Sequence, residues 1–249
     1  MHSVTVVCLS VVLALLLLLW LKISNLAGTS VRSDVLLVLA HPDDEAMFFT
    51  PLLHSLQAQR VTVHLLCLSN GNYAGMGKER EKELYASGAF FGVQRRNIRV
   101  VDHTDLQDGM GNVWSPLVIR REVESYMQKA GNISTIVTFD KYGVSGHPNH
   151  IAVHNGVRGL KENMPPGLLH LQLRSRSLLF KYVGLLAVLP YVLWSSTSAS
   201  RTSFVAVIPP ASAWESMAAM RKHASQFVWF RYLFVIFSSY TYVNEIEEL

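Results

Sequence analysis

The chain has 249 residues, a formal net charge of +4 and a mean hydropathy of +0.24, and half of its residues are hydrophobic. This length fits a single α/β domain with modest additions. The mild charge, without a basic stripe interleaved with aromatic side chains, argues against a nucleic-acid partner. The two cysteines, Cys8 and Cys67, do not form the pattern of a disulfide framework.

Much of the hydrophobic excess lies at the amino terminus, where residues 4–21 carry no charge. A helix of this length spans roughly 27 Å at about 1.5 Å per residue, close to the thickness of an endoplasmic-reticulum bilayer. The pattern favours an uncleaved transmembrane anchor, residues 1–22, followed by a linker, residues 23–33. The alternative is a signal peptide cleaved near Ala27 and Gly28. Such a peptide has a positive charge before its apolar run, and in this chain no Lys or Arg precedes the run.

The flanking charges predict the orientation of this anchor. Lys22 and Arg32 follow the span, and no Lys or Arg precedes it. The positive-inside rule then places residues 34–249 on the cytosolic side of the membrane. We therefore expect a single-pass protein with one domain that faces the cytosol.

After the linker, strands alternate with helices. Strands are predicted at residues 35–39, 61–68, 98–101 and 133–139. Helices are predicted between them, at residues 46–57, 78–91 and 116–129. These alternations with short connections predict an α/β fold, with a Rossmann-like, mostly parallel sheet and helices on both faces. No GxGxxG sequence follows the first strand, which argues against nucleotide binding.

The last third of the chain is less regular. Late strands are predicted at residues 168–173 and 204–208, and between them residues 178–194 are almost wholly apolar. This stretch is too short and too interrupted to predict a second membrane span. It is either a buried strand–turn–strand or helix, or a segment that enters the membrane interface and admits a lipid substrate. The aromatic-rich residues 227–237 have the same two interpretations.

The first strand ends in His41-Pro42-Asp43-Asp44-Glu45, a run of ionisable or conformationally stiff residues. The carboxyl edge of a parallel sheet is where open α/β folds bind their ligands. Pro42 keeps His41 extended, and the carboxylates fall at the start of the next helix, where Asp is a good cap. The alternative is an acidic helix cap in a surface turn, which would carry no chemistry.

A second cluster, His147-Pro148-Asn149-His150, follows the fourth strand and a glycine-rich turn. Proline at the first helical position makes His147 the cap residue of a helix, and positions 147, 150 and 154 share one face of it. The ends of strands one and four can approach each other at the carboxyl edge of the sheet, which brings His41 and Asp44 opposite His150. Two imidazoles and one carboxylate suit a catalytic zinc ion and equally suit iron(II).

The paired motifs resemble those of the LmbE-like, or PIG-L, family of metal-dependent de-N-acetylases. Residues 40–45 carry the first motif and residues 147–150 the second, and the resemblance extends from residue 34 to the carboxyl terminus. The apolar amino terminus and the segments at residues 223–226 and 229–231 are most similar to the eukaryotic branch. That branch deacetylates N-acetylglucosaminyl-phosphatidylinositol (GlcNAc-PI) in the second step of glycosylphosphatidylinositol (GPI) anchor synthesis.

The resemblance implies a role for each residue of the two motifs. His41, Asp44 and His150 would ligate a divalent metal ion, with zinc favoured over other divalent ions. Asp43 would be the general base that removes a proton from water. His147 would be the general acid, or would stabilise the tetrahedral oxyanion.

The chain departs from the family pattern at Asn149, where bacterial relatives commonly carry Asp. An Asp there could hold a neighbouring histidine protonated, which Asn cannot do electrostatically. The family pattern therefore supports the acid role of His147 less strongly than it supports the three metal-ligand roles. Three further residues are expected at the substrate, namely Arg80, His154 and His223. The alternative for Arg80 is an ordinary solvated side chain, and for the two histidines it is a structural role.

The resemblance also implies a glycolipid substrate at the endoplasmic-reticulum membrane, and the sequence gives no basis to infer an obligate protein partner. Two other functions stay open at this point. One is a de-N-acetylase of a soluble amino-sugar conjugate, and the other is a catalytically silent, membrane-anchored scaffold. A silent scaffold predicts an incomplete site, whereas every ligand, base and acid position is filled in this chain.

Overall fold

The computed structural model describes residues 21–22, 31, 34–161, 167–194 and 203–249. Within these ranges no helix combines the length and the apolar character needed to cross a membrane. Apart from Leu21 and Lys22, the predicted anchor lies outside the described residues, as does most of the predicted linker. The division at residues 1–22, 23–33 and 34–249 therefore stays a prediction.

Seven strands form one sheet in the described part of the chain. They are β1 (Val35–Leu39), β2 (Val63–Cys67), β3 (Ile98–Val100), β4 (Thr135–Phe139), β5 (Leu169–Leu173), β6 (Ser203–Val207) and β7 (Val243–Glu248). Their order across the sheet is β3-β2-β1-β4-β5-β7-β6. The pairs among β1 to β5 are parallel, and β7 is antiparallel to both β5 and β6. The predicted mostly parallel sheet is confirmed.

Helices connect the strands and cover the sheet. The described helices are α1 (Asp44–Phe48), α2 (Thr50–Ala58), α3 (Gly77–Phe90), α4 (Pro116–Ala130), α5 (Gly143–Gly146), α6 (Pro148–Arg158), α7 (Leu178–Lys181), α8 (Leu189–Trp194), α9 (Glu215–Met220) and α10 (Trp229–Phe237). Strands β1, β2 and β4 are buried along their whole length, as expected where helices cover both faces of a parallel sheet. Helix α4 packs on α6, and α3 packs on α9. Because crossovers are right-handed, these two pairs lie on opposite faces.

Strands β1 and β4 are neighbours at the point where the chain changes direction across the sheet. The chain adds β2 and β3 on one side of β1, and then β4 and β5 on the other. Val35 pairs with Thr135, and Leu37 pairs with Val137. The loops that follow β1 and β4 therefore lie side by side, with a crevice between them at the carboxyl edge of the sheet.

Two elements differ from the sequence-based expectation. The helix predicted at residues 46–57 is interrupted at Phe49 and forms α1 and α2. Pro51 explains the break, because it lies in the first turn of α2, where proline is tolerated, and would disrupt the interior of a longer helix. Strand β7 was not predicted, because three of its six residues are glutamates, a residue type that is uncommon in strands.

The apolar residues 178–194 form α7, a 3-10 helix at Gly184–Val188, and α8. The strand–turn–strand interpretation is therefore wrong. Most of the large apolar side chains in this segment are exposed, as are those of α10. The two segments contact each other at Gly184. The backbones are so close there that a Cβ added to Gly184 would lie 3.2 Å from the carbonyl oxygen of Ile236.

Candidate active site

Asp44 closes the turn after β1. Its Oδ2 accepts hydrogen bonds from the backbone N–H groups of Ala40 (3.0 Å) and His41 (2.8 Å), and its Oδ1 lies 3.2 Å from Nε2 of His150. Burial opposes ionisation of this carboxyl, but His150 and His41 outweigh burial and hold the pKa of Asp44 well below its usual range. Asp44 is thus an ionised carboxylate, fixed by the backbone and directed at the histidine that follows β4.

Asp43 has a backbone conformation that non-glycine residues rarely adopt, with φ of 113°. Its backbone N–H donates to Oε2 of Glu45 (3.3 Å). It is the cap residue of α1, but its side chain does not cap the helix, contrary to the expectation for an Asp at this position. The carboxylate instead faces Nη2 of Arg231 at 3.0 Å and Nη2 of Arg80 at 3.6 Å. Backbone strain of this kind concentrates at functional sites.

His147 is the cap residue of α6, as predicted. Its Nδ1 accepts a hydrogen bond from the backbone N–H of Asn149 (3.2 Å). Burial, together with His41 and His150, lowers the pKa of His147 to about 4. The imidazole is therefore neutral at neutral pH, and since Nδ1 is the acceptor, the proton is on Nε2.

His150 is fixed by the turn that follows β4. Its Nδ1–H donates to the carbonyl oxygen of Gly143 (3.1 Å), and its ring stacks on Phe139 with centroids 4.1 Å apart. Gly143 has φ of +59°, and a Cβ at this position would lie 2.9 Å from the Cβ of His150. Only glycine fits this approach. Because Nδ1 donates to the carbonyl, Nε2 is the ring nitrogen that faces Asp44 and that would bind a metal ion.

His41 contacts two residues from distant parts of the chain. Its Nε2 lies 3.1 Å from Oδ1 of Asp108 and 3.0 Å from Nδ2 of Asn149. Burial disfavours the charged imidazole, but the hydrogen bond to Asp108 and the charge of Asp44 outweigh burial and raise the pKa of His41. Asp108 is not predictable as a site residue from the sequence, because nothing in its Asp-Gly loop indicates contact with the first motif.

The donor atoms fit a metal ion. The ligand nitrogens of His41, His147 and His150 lie within 4.8 Å of one another, and Asp44 contacts both His41 and His150. Imidazole nitrogens with one carboxylate are the donors that zinc and iron(II) bind. The structure therefore brings two of the predicted ligands, His41 and His150, together with His147. Asp44 is not part of that group, although it lies 3.2 Å from Nε2 of His150 and 3.8 Å from Nδ1 of His41.

Arg80 lines the cavity and holds the first motif in place; its predicted contact with the substrate stays a prediction. Its Nη2 donates to the carbonyl oxygen of Pro42 (2.6 Å), and its Nη1 donates to that of Gly71 (2.9 Å) and to Asp108 (3.3 Å). The side chain is buried, so the solvated alternative is wrong. Gly71, with φ of +68°, leaves room for the guanidinium, because a Cβ there would lie 2.4 Å from Nη1.

The other two residues expected at the substrate, His154 and His223, lie elsewhere. Nδ1 of His154 hydrogen bonds to the carbonyl oxygen of Phe139 (3.2 Å). Nε2 of His223 pairs with Oε1 of Glu45 at 2.5 Å, and both side chains are fully buried. Neither histidine belongs to the set of described residues that line the cavity. His223 supports the first motif from behind, through the residue that follows Asp44.

The site opens into a cavity of about 690 Å³. The histidines and carboxylates described above line part of it. The rest is mainly apolar, with aromatic and aliphatic side chains from α10 and its neighbours. The most prominent of these are Phe48, Tyr182, Trp229, Phe230, Leu233 and Phe234. A ligand with a polar head and an apolar tail matches this lining.

Comparisons with known proteins show the family of this chain. The family model described as "PIG-L: GlcNAc-PI de-N-acetylase" matches residues 36–160. The chain is 37% identical to a probable N-acetylglucosaminyl-phosphatidylinositol de-N-acetylase of Schizosaccharomyces pombe, over 86% of each protein. It is 39% identical to the N-acetylglucosaminyl-phosphatidylinositol de-N-acetylase of Bos taurus, over 87% of this chain and 84% of the bovine protein.

A solved structure shows the same fold. The N,N'-diacetylchitobiose deacetylase of Pyrococcus horikoshii superposes with a TM-score of 0.58 and 16% sequence identity. The match covers 80% of this chain and 75% of that protein. At this identity the likeness supports the α/β architecture alone.

Proposed function

Because this chain belongs to the PIG-L family of GlcNAc-PI de-N-acetylases, we propose that it hydrolyses the N-acetyl group of GlcNAc-PI. The products are glucosaminyl-phosphatidylinositol and acetate, and the reaction is the second step of GPI-anchor synthesis. One observation carries the proposal, namely that His41, Asp44 and His150 converge beside Asp43 in a single cavity. This is the arrangement that metal-assisted hydrolysis of an amide requires.

His41, Asp44 and His150 are the residues that would hold a divalent metal ion, which we propose to be zinc. When bound, the ion supplies Lewis acidity, which polarises the acetyl carbonyl and makes a water molecule more acidic. The chain fixes these side chains in advance. Asp44 is held by two backbone N–H groups, and His150 is held by the carbonyl of Gly143. Such supporting bonds orient ligands and reduce the cost of assembling the site.

Asp43 accepts the proton of the attacking water. Its carboxylate lies in the cavity beside the ligand cluster, and Arg231 and Arg80 fix its position. Removal of the proton as the water oxygen attacks the acetyl carbon gives a tetrahedral oxyanion. General-base catalysis of this kind contributes roughly 10²–10⁴-fold to the rate.

His147 donates a hydrogen bond from Nε2–H to the developing oxyanion. The low pKa of His147 and the cap bond to Asn149 favour this role over proton donation, and a neutral imidazole can stabilise an oxyanion in this way. The proton that Asp43 has taken up is then available to the nitrogen of the leaving glucosamine. The C–N bond breaks, the nitrogen leaves as an amine, and the carboxylate of Asp43 is regenerated.

We further propose that the enzyme works on the cytosolic face of the endoplasmic-reticulum membrane. The predicted anchor at residues 1–22 and the positive charges that follow it support this location. Exposed apolar side chains beside the cavity also support it, since such a surface suits the interface of a bilayer. From α10 these are Trp229, Phe230, Tyr232, Leu233, Ile236 and Phe237. Protease added outside sealed microsomes should digest the domain, and full protection would contradict this orientation.

The test of the reaction is acetate release by the detergent-solubilised full chain. GlcNAc-PI and soluble N-acetylglucosaminides are offered separately. We expect acetate release from the glycolipid to be much faster than release from the soluble sugars. Release from the soluble sugars alone would favour a soluble amino-sugar conjugate as substrate. Release from neither would support the silent scaffold.

A further inference from the structure

Lys181 is a buried cation within the active-site cavity. It ends α7 and is 8% exposed, and it lines the same cavity as His150 and Asp43. Its Nζ donates to the carbonyl oxygen of Val144 at 3.3 Å. Throughout the described ranges, no carboxylate lies within ion-pair distance of this ammonium group.

The other basic side chains of the cavity are paired with carboxylates. Arg80 faces Asp43 and Asp108, and Arg231 faces Asp43. Lys181 differs from both, because desolvation acts on its charge without a compensating anion, and burial lowers its pKa accordingly. A buried charge is costly unless it is paired. Among the basic side chains that line the cavity, Lys181 is therefore the one whose charge no described carboxylate neutralises, and it can bind an anion.

The position of Lys181 indicates which part of a ligand it meets. The ring of Phe48 lies 5.7 Å from that of His150 and 5.6 Å from that of Phe234. Nζ of Lys181 lies 5.9 Å from the ring of Phe234, which belongs to the exposed apolar helix α10. The ammonium group thus lies beside α10, and its bond to Val144 keeps it at the turn whose Gly143 carbonyl also holds His150.

We propose that Lys181 binds the phosphodiester of the substrate. This inference rests on the proposed function, in which the acetamido sugar is at the histidine cluster. In such a glycolipid the phosphodiester separates the sugar and inositol from the acyl chains. A cation that is close both to the turn of the histidine cluster and to the apolar helix α10 matches that order. Lysine binds phosphate as a compact point charge with three donors.

The first experiment separates phosphate binding from support of the fold. The full chain is assayed with two water-soluble substrates, N-acetylglucosaminyl-inositol and its 1-(methyl phosphate) diester. Lys181→Met removes the charge and keeps the length of the side chain, and Lys181→Arg keeps the charge. Lys141→Met is the matched control, because Lys141 is exposed and does not line the cavity.

Lys181→Met should raise KM for the phosphodiester by roughly 10- to 100-fold, the value of a charged hydrogen bond. KM for the phosphate-free substrate should change by less than about two-fold, because that substrate offers no anion for Lys181 to bind. Lys181→Arg should restore most of the affinity, and Lys141→Met should change neither KM. An equal loss on both substrates would overturn the inference, because it would show that Lys181 only supports the turn at Val144.

A second measurement uses the unaltered protein. Glycerophosphoinositol and inositol are compared as inhibitors of acetate release from GlcNAc-PI. The phosphodiester should inhibit at a concentration at least about ten-fold lower than inositol does. Equal inhibition would overturn the inference while leaving the deacetylase activity in place. Absence of acetate release from GlcNAc-PI by the unaltered protein would instead refute the proposed function, and this inference with it.

Discussion

The pair formed by His223 and Glu45 predicts a large loss of stability when one partner is removed. Both side chains are fully buried, with Nε2 of His223 and Oε1 of Glu45 at 2.5 Å. After His223→Ala, the carboxylate would keep one strong partner, the hydroxyl of Ser87 at 2.6 Å, and a longer bond from the backbone N–H of Asp43. Removing one member of a buried ion pair costs about 3–5 kcal/mol.

The assay is thermal and urea unfolding of the full chain in detergent. His223→Ala should lower the free energy of unfolding by about 3–5 kcal/mol. His54→Ala is the control, because His54 pairs with Glu215 at 2.8 Å but the two side chains are 17% and 13% exposed. Its loss should be about 1 kcal/mol. Combining His223→Ala with Glu45→Gln should recover part of the loss, because no charge is then left buried.

The same pair predicts a pH dependence. Burial disfavours protonation of His223, but Glu45 outweighs burial and raises the pKa of the histidine. A group with a raised folded-state pKa contributes stability that is fully present below its unfolded pKa, about 6.5, and is lost as the pH rises through the folded value. His223→Ala should remove this loss of stability. A destabilisation below about 1 kcal/mol, or an unchanged pH profile, would refute the reasoning.

The remaining predictions concern the metal site. Asp43→Asn should retain metal and lower kcat by roughly 10²–10⁴-fold; loss of metal, or full activity, would contradict its role as base. Asp44→Ala should lose metal and His147→Ala should keep it, as measured by metal content after dialysis; the reverse result would assign the three-histidine set. Metal affinity should weaken as the pH falls from about 8 to about 6, because a ligand must lose its proton. The hydrogen bond to Asp108 and the charge of Asp44 raise the pKa of His41 against the effect of burial. A metal dissociation constant that stays the same across this pH range, after correction for protonation of the chelator, would contradict this.

Local patterns were enough to predict the part of the fold that positions the site. Runs of aliphatic residues predicted β1, β2 and β4, and the two histidine motifs follow β1 and β4, which the structure makes neighbours. The proline in the second motif correctly predicted that α6 begins after His147. These features depend on residues that are close in sequence, so periodicity and turn chemistry are sufficient.

Contacts between distant residues were not predictable in the same way. Glu45 and His223 are separated by 178 positions, and His41 meets Asp108 through a loop with no regular pattern. The left-handed conformation of Asp43 depends on Glu45, on Arg80 and on the carbonyl of Pro42. Sequence alone offers a preference for capping at this position, and the tertiary contacts override it. The contact of His223 with Glu45 is likewise a tertiary one, so its position behind the first motif, away from the substrate, could not be predicted from the sequence.

The central claim is that the histidine–carboxylate cluster binds the metal ion that deacetylation of the glycolipid requires. The direct test is the metal content of the purified full chain, with acetate release from GlcNAc-PI measured before chelation, after chelation, and after one divalent ion is restored. We predict one bound ion per chain, loss of acetate release on chelation, and recovery with the restored ion. Undiminished acetate release from the metal-free protein, or none from the metal-loaded protein, would contradict the claim.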